Sequence, residues 1–272
     1  MPMKQTPISV SRSHKEKATE GDRHFVTALA RGLDVLACFP SGEVQLGNQQ
    51  LAERCKLPKS TVSRLTMTLS RLGYLIQVPE TGRYRLGMST MALGVAMMSK
   101  LDVRQVARPL MQGLAAFAGA SVSLGVRERL SMFYIEHCQV QAALTVSSNI
   151  GSRYPLATSA MGRAYMAVAE DVERKGLMLA LRDQTEGDWT AILAGIEKAD
   201  QDYRTFGVAT SFGDWHSDVN GIGRAFNPGG GLPPMAISCT GPSSRLTPDF
   251  LLEEVRPRLI ELTQKIETTL PT

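Results

Sequence analysis

A chain of 272 residues is long enough for about two domains, each able to bury a core of its own. With 43% apolar residues, and 30 Lys and Arg against 26 Asp and Glu, it is neither a disordered polyelectrolyte nor a fibrous chain. Residues 1–100 carry 14 basic and 7 acidic side chains while residues 101–272 carry 16 and 19, so the basic excess lies in the N-terminal third and suggests a polyanionic partner there.

Residues 1–22 are polar, show no apolar period and read as a disordered tail. From His24 the residues Val26, Leu29, Leu33, Leu36 and Ala37 recur at helical spacing, up to the stop signal Phe39-Pro40-Ser41-Gly42. Asn48 reads as the N-cap of a short helix Gln49–Cys55. Lys56 and Leu57 form a turn, and Pro58 opens a third helix to about Leu72, with Val62, Leu65, Leu69 and Leu72 on its inner face. Lys59, Ser60, Ser63, Arg64 and Met67 fall on or beside the opposite face. Gly73 supplies a C-cap, and two extended runs, Tyr74–Val78 and Arg83–Leu86, form a hairpin. Helix, short helix, turn, helix and hairpin make a winged helix-turn-helix. Its third helix fits a DNA major groove, with the wing lying along the backbone.

Residues 86–103 are apolar, rich in methionine and helical in spacing, which suits a linker helix or dimer seam. A helix over Arg104–Ala118 follows, then extended runs at Ser121–Arg127, Met132–Cys138 and Gln141–Ser148. A small-residue helix starts near Thr158. Helices near 170–182 and 190–206 lead to strands near Gly207–Phe212, Asn220–Phe226 and Pro234–Gly241, and a closing helix spans Pro248–Leu270. Helices flanking a mostly antiparallel sheet of five or six strands define an α+β domain.

Cys38, Cys55, Cys138 and Cys239 form no C-x-x-C pair and read as buried thiols of a reducing cytoplasm. No apolar stretch is long enough to span a bilayer, and the start of the chain is not signal-like, so neither secretion nor membrane insertion is expected. Asp214, His216 and Asp218 alternate, and on an extended backbone would point one way and hold a divalent cation, the basis of an alternative reading as a metabolite-binding enzyme or metal-dependent hydrolase. The run Asn227–Pro234 lacks the Lys-Ser/Thr of a phosphate loop, and no G-x-S-x-G elbow is present. No catalytic residue, metal or cofactor is expected on the favoured reading.

The segments RHFVTALARGLDVL, LAERCKLPKSTVSRLTMTLSRLGYL, GRYRLG, GSRYPLATSAMGRAYMA and AISCTGPSSRL, in this order and spacing, resemble the IclR (isocitrate lyase regulator) family of bacterial transcription factors, from about Arg23 to Leu270. The resemblance implies a winged helix-turn-helix DNA-binding domain over 23–87, a linker helix over 88–103 and a GAF-like effector-binding domain over 104–272. It implies dimers, often paired into tetramers, that bind double-stranded promoter DNA and answer to a small organic or aromatic acid. Carried over by position, the DNA-binding residues are Arg31, Lys59, Ser60, Thr61, Ser63, Arg64 and Arg83, with Arg64 suited to bond guanine O6 and N7 together and Lys59 to phosphate. The effector-binding residues are Ser159, Ala160, Met161, Asn220, Gly221, Ser238 and Thr240, with Trp215 nearby. Free amides at a helix start beside two hydroxyls at i and i+2 of a strand suit a carboxylate. A glycine at 221, where the family pattern allows a bulkier residue, together with Phe212 and Trp215, points to a larger, flatter ligand than a short keto acid.

Overall fold

The computed structural model describes residues 24–39, 45–98, 102–139, 149–185 and 187–270; the tail 1–22 and the run expected over Gln141–Ser148 lie outside them. The chain divides into two compact units, Met1–Lys100 and Leu101–Thr272.

The first unit holds α1 (Thr27–Ala37), α2 (Asn48–Cys55), α3 (Lys59–Arg71), a hairpin of β1 (Leu75–Gln77) and β2 (Tyr84–Leu86), and α4 (Met88–Met98). Val35, Leu46, Leu51, Val62 and Leu75 bury completely at its centre, so α1, α2 and α3 each contribute to one small core. Leu46 also pairs with Tyr84, which ties the segment before α2 to the hairpin. Gly73, at φ +76°, ends α3 in the left-handed conformation, as its place in the sequence suggests.

Two local expectations change. The N-cap of α2 is Gly47, whose amide donates to Gln50 Oε1 at 2.9 Å. Asn48 is instead the first helical residue, and its side-chain amide donates to Ser63 Oγ at 2.9 Å and to Lys59 O at 3.3 Å. On α3 the fully buried residues are Val62 and Thr66, while Leu72 is 60% exposed. Thr66 can sit inside because its hydroxyl donates to Val62 O, and Leu72 lies beyond the last helical residue.

The second unit is built on one antiparallel sheet in the order β5-β4-β3-β8-β7-β6, formed by β3 (Ser121–Glu128), β4 (Ser131–Cys138), β5 (Arg153–Pro155), β6 (Ala209–Phe212), β7 (Val219–Phe226) and β8 (Met235–Pro242). β5 has no counterpart among the extended runs expected from the sequence. The helices are α5 (Asp102–Ala118), α6 (Ala160–Val168), α7 (Asp171–Gln184), α8 (Trp189–Phe206) and, at the end of the chain, α9 (Pro248–Phe250), a π-helical turn (Leu251–Val255) and α10 (Arg256–Thr269). The single closing helix expected is thus interrupted just before Pro257, whose missing N–H would leave an unbroken α-helix one bond short.

Alternation along the strands gives this sheet two unlike sides. One carries Ser121, Ser123 and Gly125 of β3, Ala236, Ser238 and Thr240 of β8, and Gly221 and Gly223 of β7. Because none of these exceeds threonine in size, α6 lies very close: a Cβ added to Gly223 would fall 2.4 Å from Ala160 O, and one added to Gly125 2.5 Å from Met161 Sδ. The other side carries Val122, Leu124, Ile222, Ile237 and Cys239, all buried, and packs on α5 and α10. Among the described residues no helix is long and apolar enough to cross a membrane.

Candidate functional site

In the first unit, Lys59, Ser60, Ser63 and Arg64 stand exposed along the first turns of α3, with Thr61 half-buried beside them. The start of α2 fixes this face. Gln49 Oε1 accepts from Lys59 Nζ at 3.3 Å, Asn48 holds Ser63, and Gln50 Oε1 accepts from Arg83 Nη2 of the wing at 3.2 Å. Lys59, Ser63 and Arg83 are therefore each held by one of three consecutive polar residues, of which sequence reasoning singled out only Asn48, and that as a helix cap. Their signal was a polar Asn-Gln-Gln run at the start of an amphipathic helix. Among the described residues the Arg64 side chain makes no hydrogen bond or ion pair, and Arg31, exposed on α1, has no bond to this group.

In the second unit, a cavity of about 20 Å³, room for about one water, lies between the small-residue side of the sheet and the start of α6. Ser159, Ala160, Met161, Trp215, Gly221, Ser238 and Thr240 line it, as do Tyr134, Tyr154, Ser211 and Val219, which the sequence reading missed. Ser159 caps α6: its Oγ accepts from Gly162 N at 3.1 Å and donates to Pro155 O at 2.6 Å. Ser238 is fully buried; its hydroxyl makes no hydrogen bond of ordinary geometry, and its polar neighbour is the Tyr134 hydroxyl on the same cavity wall. The Tyr134 and Tyr154 rings stack at 4.4 Å, and Trp215 meets Tyr154 edge-on at 4.8 Å, so aromatic faces wall one flank. Burial pushes the Tyr134 hydroxyl well above its ordinary pKa, which keeps it protonated and able to donate.

A bulge places Tyr134 there. Leu124 pairs with Glu136 but Gly125 with Tyr134, so Ile135 is an extra residue and Tyr134 faces the same side as His137. A one-residue offset of this kind has no signature in the alternation of β4.

Three expectations are corrected by the geometry. Asn220 lies on the opposite side of β7, and its Nδ2 donates to Leu246 O at 2.9 Å, so it braces the loop after β8 and does not line the cavity. Gly221 opens no additional room, because a Cβ there would lie 2.4 Å from Thr240 Cγ2, which already fills the space. The run Asp214–Asp218 forms bends and turns, not a strand, and Asp214 accepts from Arg163 Nη1 at 2.9 Å and from Phe212 N at 3.0 Å. With Asp214 so engaged the premise of three convergent ligands is gone, and no group of three potential metal ligands occurs among the described residues.

No charged side chain lines the cavity. Arg163, which follows closely on the cavity-lining start of α6, is 4% exposed and engaged elsewhere: Nε donates to Ala157 O, and Nη1 to Thr210 O as well as to Asp214. It joins the segment before α6, strand β6 and the turn that carries Trp215, three of the elements that shape the cavity.

A winged helix with an exposed basic helix face, on the same chain as an α+β unit enclosing a polar-floored cavity, is the architecture of a transcriptional regulator. Comparison with known proteins makes the assignment specific. Residues 28–79 match the IclR helix-turn-helix domain and residues 95–268 the bacterial transcriptional regulator IclR C-terminal domain. The chain is 34% identical over 254 residues to the HTH-type transcriptional regulator TsaQ1/TsaQ2 of Comamonas testosteroni, covering 93% of this chain and 91% of that one. The crystal structure of an IclR family transcriptional regulator from Brucella abortus superposes with a TM-score of 0.85 at 40% identity, over 99% of this chain and 100% of the other. An IclR homolog from Microbacterium hydrocarbonoxydans, solved in complex with 4-hydroxybenzoate, shares the fold with a TM-score of 0.72 at 23% identity, over 89% and 98% of the two chains. The chain belongs to the IclR family and is a DNA-binding transcriptional regulator, with an N-terminal winged helix-turn-helix and a C-terminal GAF-like α+β domain.

Proposed function

We propose that this regulator reads promoter DNA with α3 and the wing, and that a small organic acid, aromatic in character, controls it from the cavity beneath α6. The observation that carries the second half is the fully buried Ser238 hydroxyl, which makes no hydrogen bond of ordinary geometry and faces, with Tyr134, a cavity that also meets the start of α6. A buried orphan hydroxyl is costly unless a ligand or water completes it. The amides of Ala160 and Met161, at the positive end of α6, add donors for a carboxylate without any cationic side chain. The Tyr134, Tyr154 and Trp215 rings suit a flat apolar body, and 4-hydroxybenzoate in the Microbacterium homolog has this chemistry.

A cavity of about 20 Å³ is far below the roughly 300 Å³ at which small-molecule pockets begin. Binding therefore requires the site to open. Met161, unbranched and flexible, and Trp215, on a turn, are the wall residues best able to move. A ligand that selects the open form shifts the population toward it, and a difference in DNA affinity between open and closed forms is all that regulation needs.

Exposed apolar side chains support self-association. Val26 just before α1, Leu29 and Leu33 of α1, and Met88, Met91 and Leu93 of α4 are each more than half exposed, and clustered exposed apolar side chains are the mark of an interaction surface. A second copy of the chain is the partner proposed for it.

Fluorescence anisotropy on the DNA beside the gene, against scrambled DNA and over a salt series, tests the whole reading. Selective, salt-sensitive binding that 4-hydroxybenzoate alters and a short keto acid does not is the expected result. Arg64→Ala should weaken the selective complex by about 1–3 kcal/mol and relax base preference at one position. Unchanged selectivity in that variant removes Arg64 from base reading, and binding of keto acids alone removes the aromatic ligand.

A further inference from the structure

All four cysteines are buried free thiols, but two of them meet. Cys38 follows the last residue of α1 and Cys55 is the last residue of α2, and their Sγ atoms lie 3.1 Å apart. About 1 Å of approach separates this contact from a covalent S–S bond of about 2.05 Å. The two residues are 17 apart in sequence, one just after α1 and one at the end of α2, and both belong to the buried core of the unit.

Their surroundings are asymmetric. Arg54 Nη1 donates to Cys38 O at 2.9 Å and brings a positive charge beside that residue. The contact between the two thiols, together with the nearby charge of Arg54, holds the Cys38 thiol below its ordinary pKa against its burial, while the same contact and burial push Cys55 up. Cys239 is pushed up to about 12 by burial, and Cys138 is also raised; neither meets another thiol. One thiolate-prone sulfur with a protonated neighbour in contact is the arrangement of a nucleophilic cysteine and its resolving partner.

We propose that Cys38 and Cys55 are a redox-active dithiol in the winged-helix unit, closed to a disulfide by hydroperoxides, reopened by thiols, and coupled to DNA affinity. In the first step the Cys38 thiolate attacks the distal peroxide oxygen; the O–O bond breaks, the alkoxide or hydroxide takes up a proton, and Cys38 becomes a sulfenic acid. The Cys55 sulfur then attacks the Cys38 sulfur, the S–O bond breaks, and the departing hydroxide leaves as water with the proton of Cys55. Overall two thiols lose two electrons and two protons, and one hydroperoxide gives an alcohol and water. A small thiol reverses the closure by exchange. Cys38 is 3% and Cys55 9% exposed, so a small peroxide enters through local opening at the end of α1.

The coupling follows from position. Cys55 directly precedes Lys56, which at φ +51° forms the turn into α3, and the other end of α2 holds Lys59 and Ser63 through Gln49 and Asn48. Drawing the end of α2 toward α1 shifts the helix that orients the DNA-reading face. This part rests on the proposed reading of α3, and a DNA measurement on reduced protein therefore comes first.

The full-length protein is treated with a small excess of hydrogen peroxide, and its peptides are mapped without reduction, beside anisotropy on the selective DNA before oxidation, after it, and after dithiothreitol. The expected result is a single Cys38–Cys55 linked peptide, free Cys138 and Cys239, and an affinity change of at least fivefold that dithiothreitol reverses. Cys38→Ser and Cys55→Ser should each abolish both the linked peptide and the peroxide response, and Cys38→Ala serves if serine disturbs folding at that buried site. Absence of the linked peptide, or equal oxidation of Cys138 and Cys239, overturns the dithiol. A linked peptide with unchanged affinity overturns the coupling. Failure of the reduced protein to bind DNA selectively is a failure of the α3 reading alone, since the peptide map does not depend on DNA.

Discussion

The two sides of the six-stranded sheet show how one strand set serves two ends. The side that meets α5 and α10 is filled with Val, Leu, Ile and Met, and residues such as Ile222 and Ile237 are completely buried. The side that meets α6 is nearly stripped of side chains, so that a helix approaches closely and leaves a cavity floored by hydroxyls. On this division a substitution in the filled layer of the sheet should cost more stability than one in the thin layer, although the helices beyond the thin layer bring a core of their own. Large, interdigitated side chains resist change, whereas a thin layer of glycine, serine and threonine lets a helix approach closely.

The sharpest test of the comparison is a paired truncation and insertion on neighbouring residues of β7. Ile222→Ala removes a fully buried side chain from the filled side and should destabilise the second unit by about 3–4 kcal/mol in denaturant unfolding. Gly223→Ala adds a single methyl to the thin side, where it would fall 2.4 Å from the backbone oxygen of Ala160, and α6 has to shift. A cost of about 2 kcal/mol is expected, with loss of the response to 4-hydroxybenzoate, because the displaced residues line the cavity. Should Gly223→Ala leave both stability and ligand response intact, the close approach of α6 would have no functional meaning.

Ser238→Ala reverses the sign. It deletes a buried hydroxyl that makes no hydrogen bond of ordinary geometry, so stability should be unchanged or rise by up to about 1 kcal/mol, while the affinity for an acid ligand falls. Clear destabilisation would show instead that Ser238 supports the fold and that the thin side has no role in recognition.

The elements of both units were largely legible because apolar period and punctuation agree: the Pro58 start, the Gly73 cap and the alternation of β7 and β8 can be read in one dimension. The exposed face of α3 was legible for the same reason. The cavity was legible only in part. Ser159, Ser238 and Thr240 carry the chemistry of a site in their type and spacing, but Tyr134 enters through the bulge at Ile135, and Tyr154 through the short strand β5. Asn220 shows the converse error, because a polar residue beside a site was assigned to it although strand alternation turns it to the other side. The Asp214 run misled for a related reason: alternate spacing matters only on an extended backbone, and Arg163, fifty-one residues away, bends that segment into a turn by holding Asp214.

The smallest effect expected comes from a group at the edge of the thin side. His137 faces the same side as Ser123, whose Oγ lies 2.9 Å from its Nδ1, and its pKa is lowered, chiefly by burial, against the opposing pull of Gln139 and Glu136. Lowering favours the neutral ring in the folded protein, so between the depressed folded value and the ordinary 6.5 the unfolded chain binds more protons than the folded one. Stability should therefore be level above about pH 6.5 and decline as pH falls through that window. Urea midpoints measured from pH 8 to pH 5.5 would show it as a shallow slope that His137→Asn removes. The same substitution should leave Ile222→Ala as damaging as before, because the two residues lie on opposite sides of the sheet and share no packing. If His137→Asn instead softened the loss at Ile222, the two sides would be energetically coupled and the division between a filled and a thin side would not hold.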